Sequence, residues 1–291
     1  MNRSPARPAG TDPASTNDEN TIVPGSFTAL NCIDDAAPHR TPANPNYARE
    51  LLDRARAAKA VGWTEQGMRY GPNTDAAVAD LARASAALAD FQPASRLASR
   101  DEALAFWLNL YNAMVIHGAM VFRVRRAMTE VPRFFKRTRY IIGGRMFSLD
   151  VIEHGILRQN RGHPLRFFLP QLMPWDSRRS LVLRPMDPRI HFALNCGAAS
   201  CPPIRHYTAE RIDKELEQAA GAFIRGRGVT VEPDGGVLLS RIFRWYARDF
   251  GWTRRKQLQT AVAFLNPDQG GPLLSAAPRS IRYAPYDWSF A

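Results

Sequence analysis

The chain has 291 residues, 45% hydrophobic and 23% charged, a balance ordinary for a globular protein and foreign to a wholly disordered chain, a collagen or a coiled coil. It is long enough to bury a sizeable core without staples. The 39 Lys+Arg outnumber the 27 Asp+Glu, for a net charge of +12, which attracts nucleic acid, anionic lipid or acidic substrate without choosing among them. Three cysteines, Cys32, Cys196 and Cys201, are too few and too odd for a disulfide framework and suit a compartment that keeps thiols reduced.

The first twenty residues contain no apolar run, so no signal peptide is visible and a cytoplasmic location is expected. Seven of the 22 prolines precede residue 46. Residues 1–46 are therefore expected to be a disordered tail, with 1–40 dispensable, and 47–291 to be the folded domain. Tyr47–Ala60 and Thr74–Phe91 place apolar residues at helical spacing, with Asn73 or Thr74 as cap of the second. Ser99-Arg100-Asp101-Glu102 is a capping box that opens a helix through about Met120. Leu104–Phe122 carries no formal charge and approaches the length of a membrane span. Asn109, Asn112 and His117 lie inside it, which favours a helix buried in a protein core.

From Arg123 to Arg145 eight basic residues face one acid, Glu130. This stretch reads as a solvated basic face, with an anionic partner as its other use. Tyr140–Ile142 and Met146–Ser148 around Gly143-Gly144 signal a hairpin, and Ser148 caps a helix over Leu149–Arg158. Ile190–Asn195, bounded by Pro188 and Gly197, reads as a buried strand. Thr208–Arg225 reads as a helix. A second hairpin is expected over 228–239, helices over Ser240–Phe250 and Thr253–Leu265, and a last strand at Ser280–Tyr283. No Gly-rich phosphate loop follows a strand and no strand–helix alternation appears. The pattern predicts an α+β fold: a helix-rich single domain with short β-hairpins and a small sheet.

Reactive groups recur at His191, Cys196, Cys201 and His206. A thiol at a strand end beside the small residues Gly197–Ser200 suits a nucleophile. The four residues would also make a Cys2His2 zinc set on paper. An extended 190–195 would separate His191 from Cys196 by about 16 Å, which argues against both a shared metal and a Cys196–His191 pair. His154 and His117 remain as bases. Glu102 and His117 lie about 22 Å apart on one helix and cannot form a dyad. Glu153 points away from its neighbour His154, which leaves Glu102 open as the orienting carboxylate. Between the two thiols, Cys196 is the expected reactive one: Pro202 and Pro203 remove amide donors after Cys201, whereas Gly197–Ser200 supply them after Cys196. No motif asks for a metal or cofactor.

Four segments resemble the DUF547 family: Leu104-Ala-Phe-Trp-Leu-Asn-Leu-Tyr-Asn-Ala-Met-Val-Ile-His117, Phe147-Ser-Leu-Asp-Val-Ile-Glu-His154-Gly-Ile-Leu-Arg158, His191-Phe-Ala-Leu-Asn-Cys196 with Cys201-Pro-Pro203, and Tyr286-Asp-Trp-Ser289. The resemblance is strongest over 95–225 and extends to 290. It carries no assigned activity. It implies a likeness to papain-type thiol hydrolases with the triad in reversed chain order, in agreement with Glu102, His154, Cys196. The resulting expectation is a cysteine-dependent hydrolase or acyl-transfer enzyme acting on a peptide or acyl compound. Cys196 would be its nucleophile, His154 its base and Glu102 the orienter, with Asn109 or Asn112 at the oxyanion or behind it. The rivals are a binding or scaffolding module specified by a buried Asn/His/Glu network, and an anionic-surface binder using 123–145.

Overall fold

The structure, a computed structural model, describes residues 29–32, 43–64, 67–164, 169–266, 268, 270, 273 and 280–290. Helix α1 (Tyr47–Gly62) runs into a minimal hairpin of β1 (Trp63–Thr64) and β2 (Gly67–Met68), followed by α2 (Pro72–Ser85). Thr74 is not the cap of α2: the helix begins at Pro72, and the Thr74 hydroxyl reaches back to accept from the Gly71 amide at 2.7 Å. After the short turn α3 (Pro93–Arg96) comes α4 (Arg100–Val121). Ser99 caps it as expected, with the Glu102 amide donating to Ser99 Oγ at 3.1 Å, while the Glu102 carboxylate reaches one residue past the cap, to the Ala98 amide. Every residue of α4 from Ala103 to Met120 is buried, so this helix is the axis of the core. Among the described residues it is the one helix long and apolar enough to cross a membrane, and its apolar stretch is buried inside the fold. Both α1 and α2 pack against it.

The turn α5 (Phe134–Arg137) leads to β3 (Arg139–Ile142) and β4 (Arg145–Ser148), paired antiparallel with Tyr140 opposite Phe147. Gly143 and Gly144, at φ 54° and 73°, make the tight turn. Of the expected tail, 1–28 and 33–42 lie outside the described residues, while Ala29–Cys32 is docked along β3. Leu30 N donates to Arg139 O at 2.8 Å. The Asn31 amide exchanges bonds with the backbone of Ile141 at 2.8 and 2.9 Å. The basic run is partly consumed by the fold. Arg123 pairs with Asp75 at 2.8 Å, and the Glu130 carboxylate accepts the amides of Arg125, Arg126 and Ala127.

The remaining elements are α6 (Ile212–Phe223), β5 (Val229–Val231), β6 (Val237–Leu239), α7 (Arg241–Trp245), α8 (Ala247–Phe250), α9 (Arg254–Val262) and β7 (Ile281–Tyr283). β5 and β6 form the expected hairpin, and β7 adds parallel to β6. The result is the helix-rich α+β fold that the sequence predicts. A large apolar cluster surrounds α4, and a smaller one gathers Phe192, Phe223, Phe243 and Phe250.

Two segments depart from expectation, and both bear on the site. Residues 151–157 form a π-helix, whose wider turns show in Arg158 N donating to Glu153 O at 2.8 Å and Asn160 N to Gly155 O at 2.9 Å. Ile190–Asn195 is buried throughout but is not a strand. Pro188–Phe192 is a 3-10 turn, started by Asp187, whose side chain accepts from Arg189 N. A short apolar run reports burial and leaves conformation open. Here Asp187 and Pro188 supply a helical start. Without an extended strand, the 16 Å separation of His191 from Cys196 no longer holds.

Candidate active site

Three asparagines fold the thiol loop onto α4. Asn112 Nδ2 donates to Ala193 O at 3.1 Å and its Oδ1 accepts from Asn195 N at 2.9 Å. One helical turn earlier, Asn109 does the same to Tyr207, giving to its carbonyl at 2.7 Å and taking from its amide at 3.1 Å. Asn195 closes the loop on itself, bonding Pro202 O and Gly197 N. Asn109 satisfies both backbone groups of Tyr207, as a neighbouring strand would, while Asn112 satisfies one group on each of Ala193 and Asn195. The two α4 asparagines therefore clamp both ends of the loop. These four bonds all go to backbone, and neither asparagine lines the cavity that holds the thiols, so their task is to position the loop.

The loop brings Cys196 and Cys201 together with their sulfurs 2.7 Å apart. The Tyr286 hydroxyl lies 3.1 Å from Cys201 Sγ and 3.3 Å from Cys196 Sγ, and Cys196 N donates to Cys201 Sγ at 3.1 Å. Burial raises the Cys201 thiol, but bonds from the Cys196 thiol, Tyr286 and the amides of Cys196 and Ala198 outweigh it and hold its pKa below the ordinary value. The same thiol–thiol bond, with burial, pushes Cys196 up. Burial and the adjacent thiols raise Tyr286, so its hydroxyl stays protonated and donates. The amide that points at Cys201 Sγ lies upstream, at Cys196 itself, so the two prolines after Cys201 do not leave that thiol without a backbone donor.

Both thiols line a cavity of about 310 Å³ walled by Tyr111, Trp245, Tyr246, Tyr286 and Trp288, with Glu153, His154, His163 and His191 at its polar side. Glu153, on the π-helix, accepts from Tyr111 Oη at 2.8 Å and Tyr246 Oη at 2.5 Å. Burial alone would raise this carboxyl, but His154, Tyr246 and Arg158 together bring it below its ordinary value. His154 Nδ1 accepts from Arg158 Nη1 at 3.0 Å, which leaves the ring proton on Nε2. Burial drives its pKa down to about 3. His191 Nε2 donates to Asp249 Oδ2 at 2.8 Å, and its ring stacks on Tyr246 at 3.8 Å. Asp249 also binds Arg158 Nε at 2.6 Å and Arg161 Nη1 at 2.7 Å. Burial raises its carboxyl, but His191 and Arg158 hold it well below the usual range. His191, neutral because burial lowers it, keeps its lone pair on Nδ1.

Residues 95–224 match the family described as "Protein of unknown function, DUF547". This stretch of the chain belongs to DUF547. No curated protein matches the chain, and no solved structure matches it. The DUF547 segment supplies Tyr111, Glu153, His154, His191 and both thiols, while Trp245, Tyr246, Asp249, Tyr286 and Trp288 come from beyond its matched end.

Of the expected triad, the structure brings Cys196 and His154 to one cavity and leaves Glu102 out. The Glu102 carboxylate accepts the Ala98 amide at 2.6 Å, completing the helix cap, and borders a separate cavity with Asn109 and Tyr207. It sits nine residues, about 14 Å of helix, before Tyr111. His117, the alternative base, is sealed in the core with Nδ1 2.7 Å from Tyr140 Oη. His206 sits outside the cavity lining, 2.8 Å from Asp53. Glu153, set aside in the sequence reading, has Oε1 3.5 Å from His154 Nδ1, because the π-helix and the Arg158 contact reorient both side chains. Asp249 and Tyr246 were not singled out. The spacing of four between His154 and Arg158 was legible, and the two side chains do meet at 3.0 Å, but it carries no sign of Asp249 or Tyr246.

Proposed function

We propose that the DUF547 chain is a thiol-dependent acyl-transfer enzyme or hydrolase whose nucleophile is Cys201, with Cys196 and Tyr286 as donors to its thiolate. The observation that carries this reading is the convergence of the Cys196 amide, one phenol and a second thiol on Cys201 Sγ, in a cavity also lined by His191, whose ring Asp249 holds from behind. In the reaction, His191 Nδ1 takes the Cys201 proton while Asp249 holds the ring in the productive tautomer. The thiolate attacks the substrate carbonyl, forming the C–S bond as the carbonyl electron pair moves to oxygen. Collapse expels the leaving group, which takes the proton back from His191. Water or another acceptor then attacks the thioester, giving its proton to His191 and releasing Cys201. His154, with a proton on Nε2, is a donor for the carbonyl oxygen.

The test is alkylation by iodoacetamide at graded pH with mass-spectrometric site assignment, alongside turnover of activated esters and thioesters. Cys201 should be modified well below pH 8. Cys201→Ala should abolish both the acyl adduct and turnover, and His191→Asn should slow acylation by about 10²–10⁴-fold. Turnover that survives Cys201→Ala, or thiols that react only above about pH 8, would sink the reading. The 2.7 Å approach of the sulfurs favours a second reading, a dithiol–disulfide redox centre. Loss of both thiols together on equilibration with oxidised glutathione, without ester turnover, would select it.

A further inference from the structure

Phe135, Asp150, His163 and Trp288 line two cavities: the one that holds the thiols and, continuing from it, a second hollow of about 340 Å³. Trp288 stands where the two meet. It rides on a strap between the thiol loop and the turn after α4, bridged to Ala127 through Ser289 and to Ala198 through Phe290. Ala199 N donates to Ser289 O at 2.8 Å and Ser200 N to Asp287 O at 3.2 Å. The second hollow is walled mainly by the stretch from Met128 to Lys136, and that stretch satisfies its own backbone. Glu130 N donates to Ala127 O, Val131 N to Met128 O, Phe134 N to Val131 O and Lys136 N to Arg133 O, at 2.9 to 3.3 Å. Pro132 has no amide hydrogen to offer. Asp150 and His163 have partners within the fold, and the His163 ring meets His154 edge-on at 5.0 Å. Met128, Val131, Pro132, Phe134, Phe135 and Trp288 give the hollow an apolar surface.

A peptide laid along this wall would bury its own amides and carbonyls against backbone groups that are already paired. A hydrocarbon chain asks for no such partners and gains from every methylene removed from water. We propose that the two cavities form one groove for an aliphatic acyl group, its carbonyl at Cys201 and its chain running past Trp288 into the hollow walled by residues 128–136. The acyl group as substrate rests on the thiol-enzyme reading; the groove for its chain does not. Met128 fixes the groove to the thiol loop: a Cβ on Gly197 would lie 2.8 Å from Met128 Cε, so the wall of the hollow and the residue after Cys196 are in close contact.

Two measurements on the full chain separate these halves. Calorimetric titration with butanol, hexanol, octanol and decanol supplies the chain without an acyl group. Affinity should rise roughly tenfold for every two methylenes. Thr129→Trp and Val131→Trp fill the second hollow, and decanol should bind at least about tenfold more weakly to each while butanol binding is unchanged. Thr129 is exposed, so the first of these variants leaves the core packing intact. Affinity that does not rise with chain length, or that rises equally in both folded variants, overturns the groove. Tighter binding of an N-acetylated, C-amidated trileucine peptide than of decanol overturns the acyl chain as its occupant. The second measurement follows acylation of Cys201 by butanoyl and decanoyl thioesters of N-acetylcysteamine. The acyl group passes to the Cys201 sulfur, and the released thiol takes the Cys201 proton. At limiting concentration the decanoyl thioester should react at least about tenfold faster, and both variants should remove that preference without slowing the butanoyl thioester. Equal rates with both thioesters in the wild type overturn the acyl chain as substrate. Failure of both thioesters overturns the thiol reading, while calorimetry still decides the groove.

Discussion

Burial makes His117, His154 and His191 proton-poor. His117 and His154 are both pushed by burial to about 3, and His117 Nε2 is enclosed with no hydrogen-bond partner. In the unfolded chain each takes a proton near pH 6.5. Between that value and about pH 3 the unfolded state therefore binds protons that the folded state refuses. Their contribution to stability is complete above pH 6.5 and is lost as the pH falls. At pH 5 the loss is on the order of 2 kcal/mol for each. Urea melts at pH 7 and pH 5 should show this decline, and a flat profile would show that these rings are charged in the fold. The lowered carboxyls of Glu153 and Asp249 act in the same direction at more acid pH, where the unfolded carboxylates protonate before the folded ones.

At the scale of elements, the asparagine clamps and the β3–β4 turn each allow a sharp test. Asn112→Leu strips partners from the buried Ala193 carbonyl and Asn195 amide, and should cost about 1–3 kcal/mol for each group left unpaired. It should also slow Cys201 alkylation, because the loop that sets the thiol is no longer held. Asn109→Leu acts at Tyr207, farther along the chain from the thiols, and should cost stability with a smaller effect on alkylation. Thermal melts paired with labelling rates distinguish the two, and neutrality of both would show that the loop holds without them. In the turn, a Cβ at Gly143 would lie 2.6 Å from the Phe91 carbonyl oxygen, whereas Gly144 faces open space. Both have positive φ, so each alanine costs about 1–2 kcal/mol for the left-handed conformation. Gly143→Ala should cost measurably more, and equal melting temperatures would contradict the close approach. The hairpin was legible because paired glycines between apolar runs admit few other conformations. The 190–195 segment was not, because a buried apolar run looks alike as strand or helix.

Across the whole molecule, Asp249 is the joint. Its side chain is fully buried, and it ties α8, in the smaller cluster, to Arg158 and Arg161 after the π-helix and to His191. Asp249→Asn leaves the Arg158 guanidinium buried without its counter-charge and should destabilise by about 3–5 kcal/mol. It should also remove the orienting acceptor from His191, so acylation falls more than the melting temperature alone explains. Asp249→Glu, which keeps the charge, should recover part of the stability. Recovery of full acylation by Asp249→Asn at a temperature where it remains folded would separate the joint from the chemistry.

The Ser99 cap, the glycine hairpin and the buried polar helix were all determined within short stretches of chain. Local hydrogen bonding, turn geometry and the penalty for an unpaired amide in an apolar helix act over a few residues, and a sequence displays them. The composition of the site was decided elsewhere. Glu102 seemed available as an orienter because no local rule shows that its carboxylate is already spent on Ala98 N. Asp249 and Tyr286 gave no local sign of reaching His191 and the thiols across 58 and 85–90 residues. Such pairings depend on which buried charges and donors meet when two apolar clusters close on each other, and only the tertiary structure holds that information.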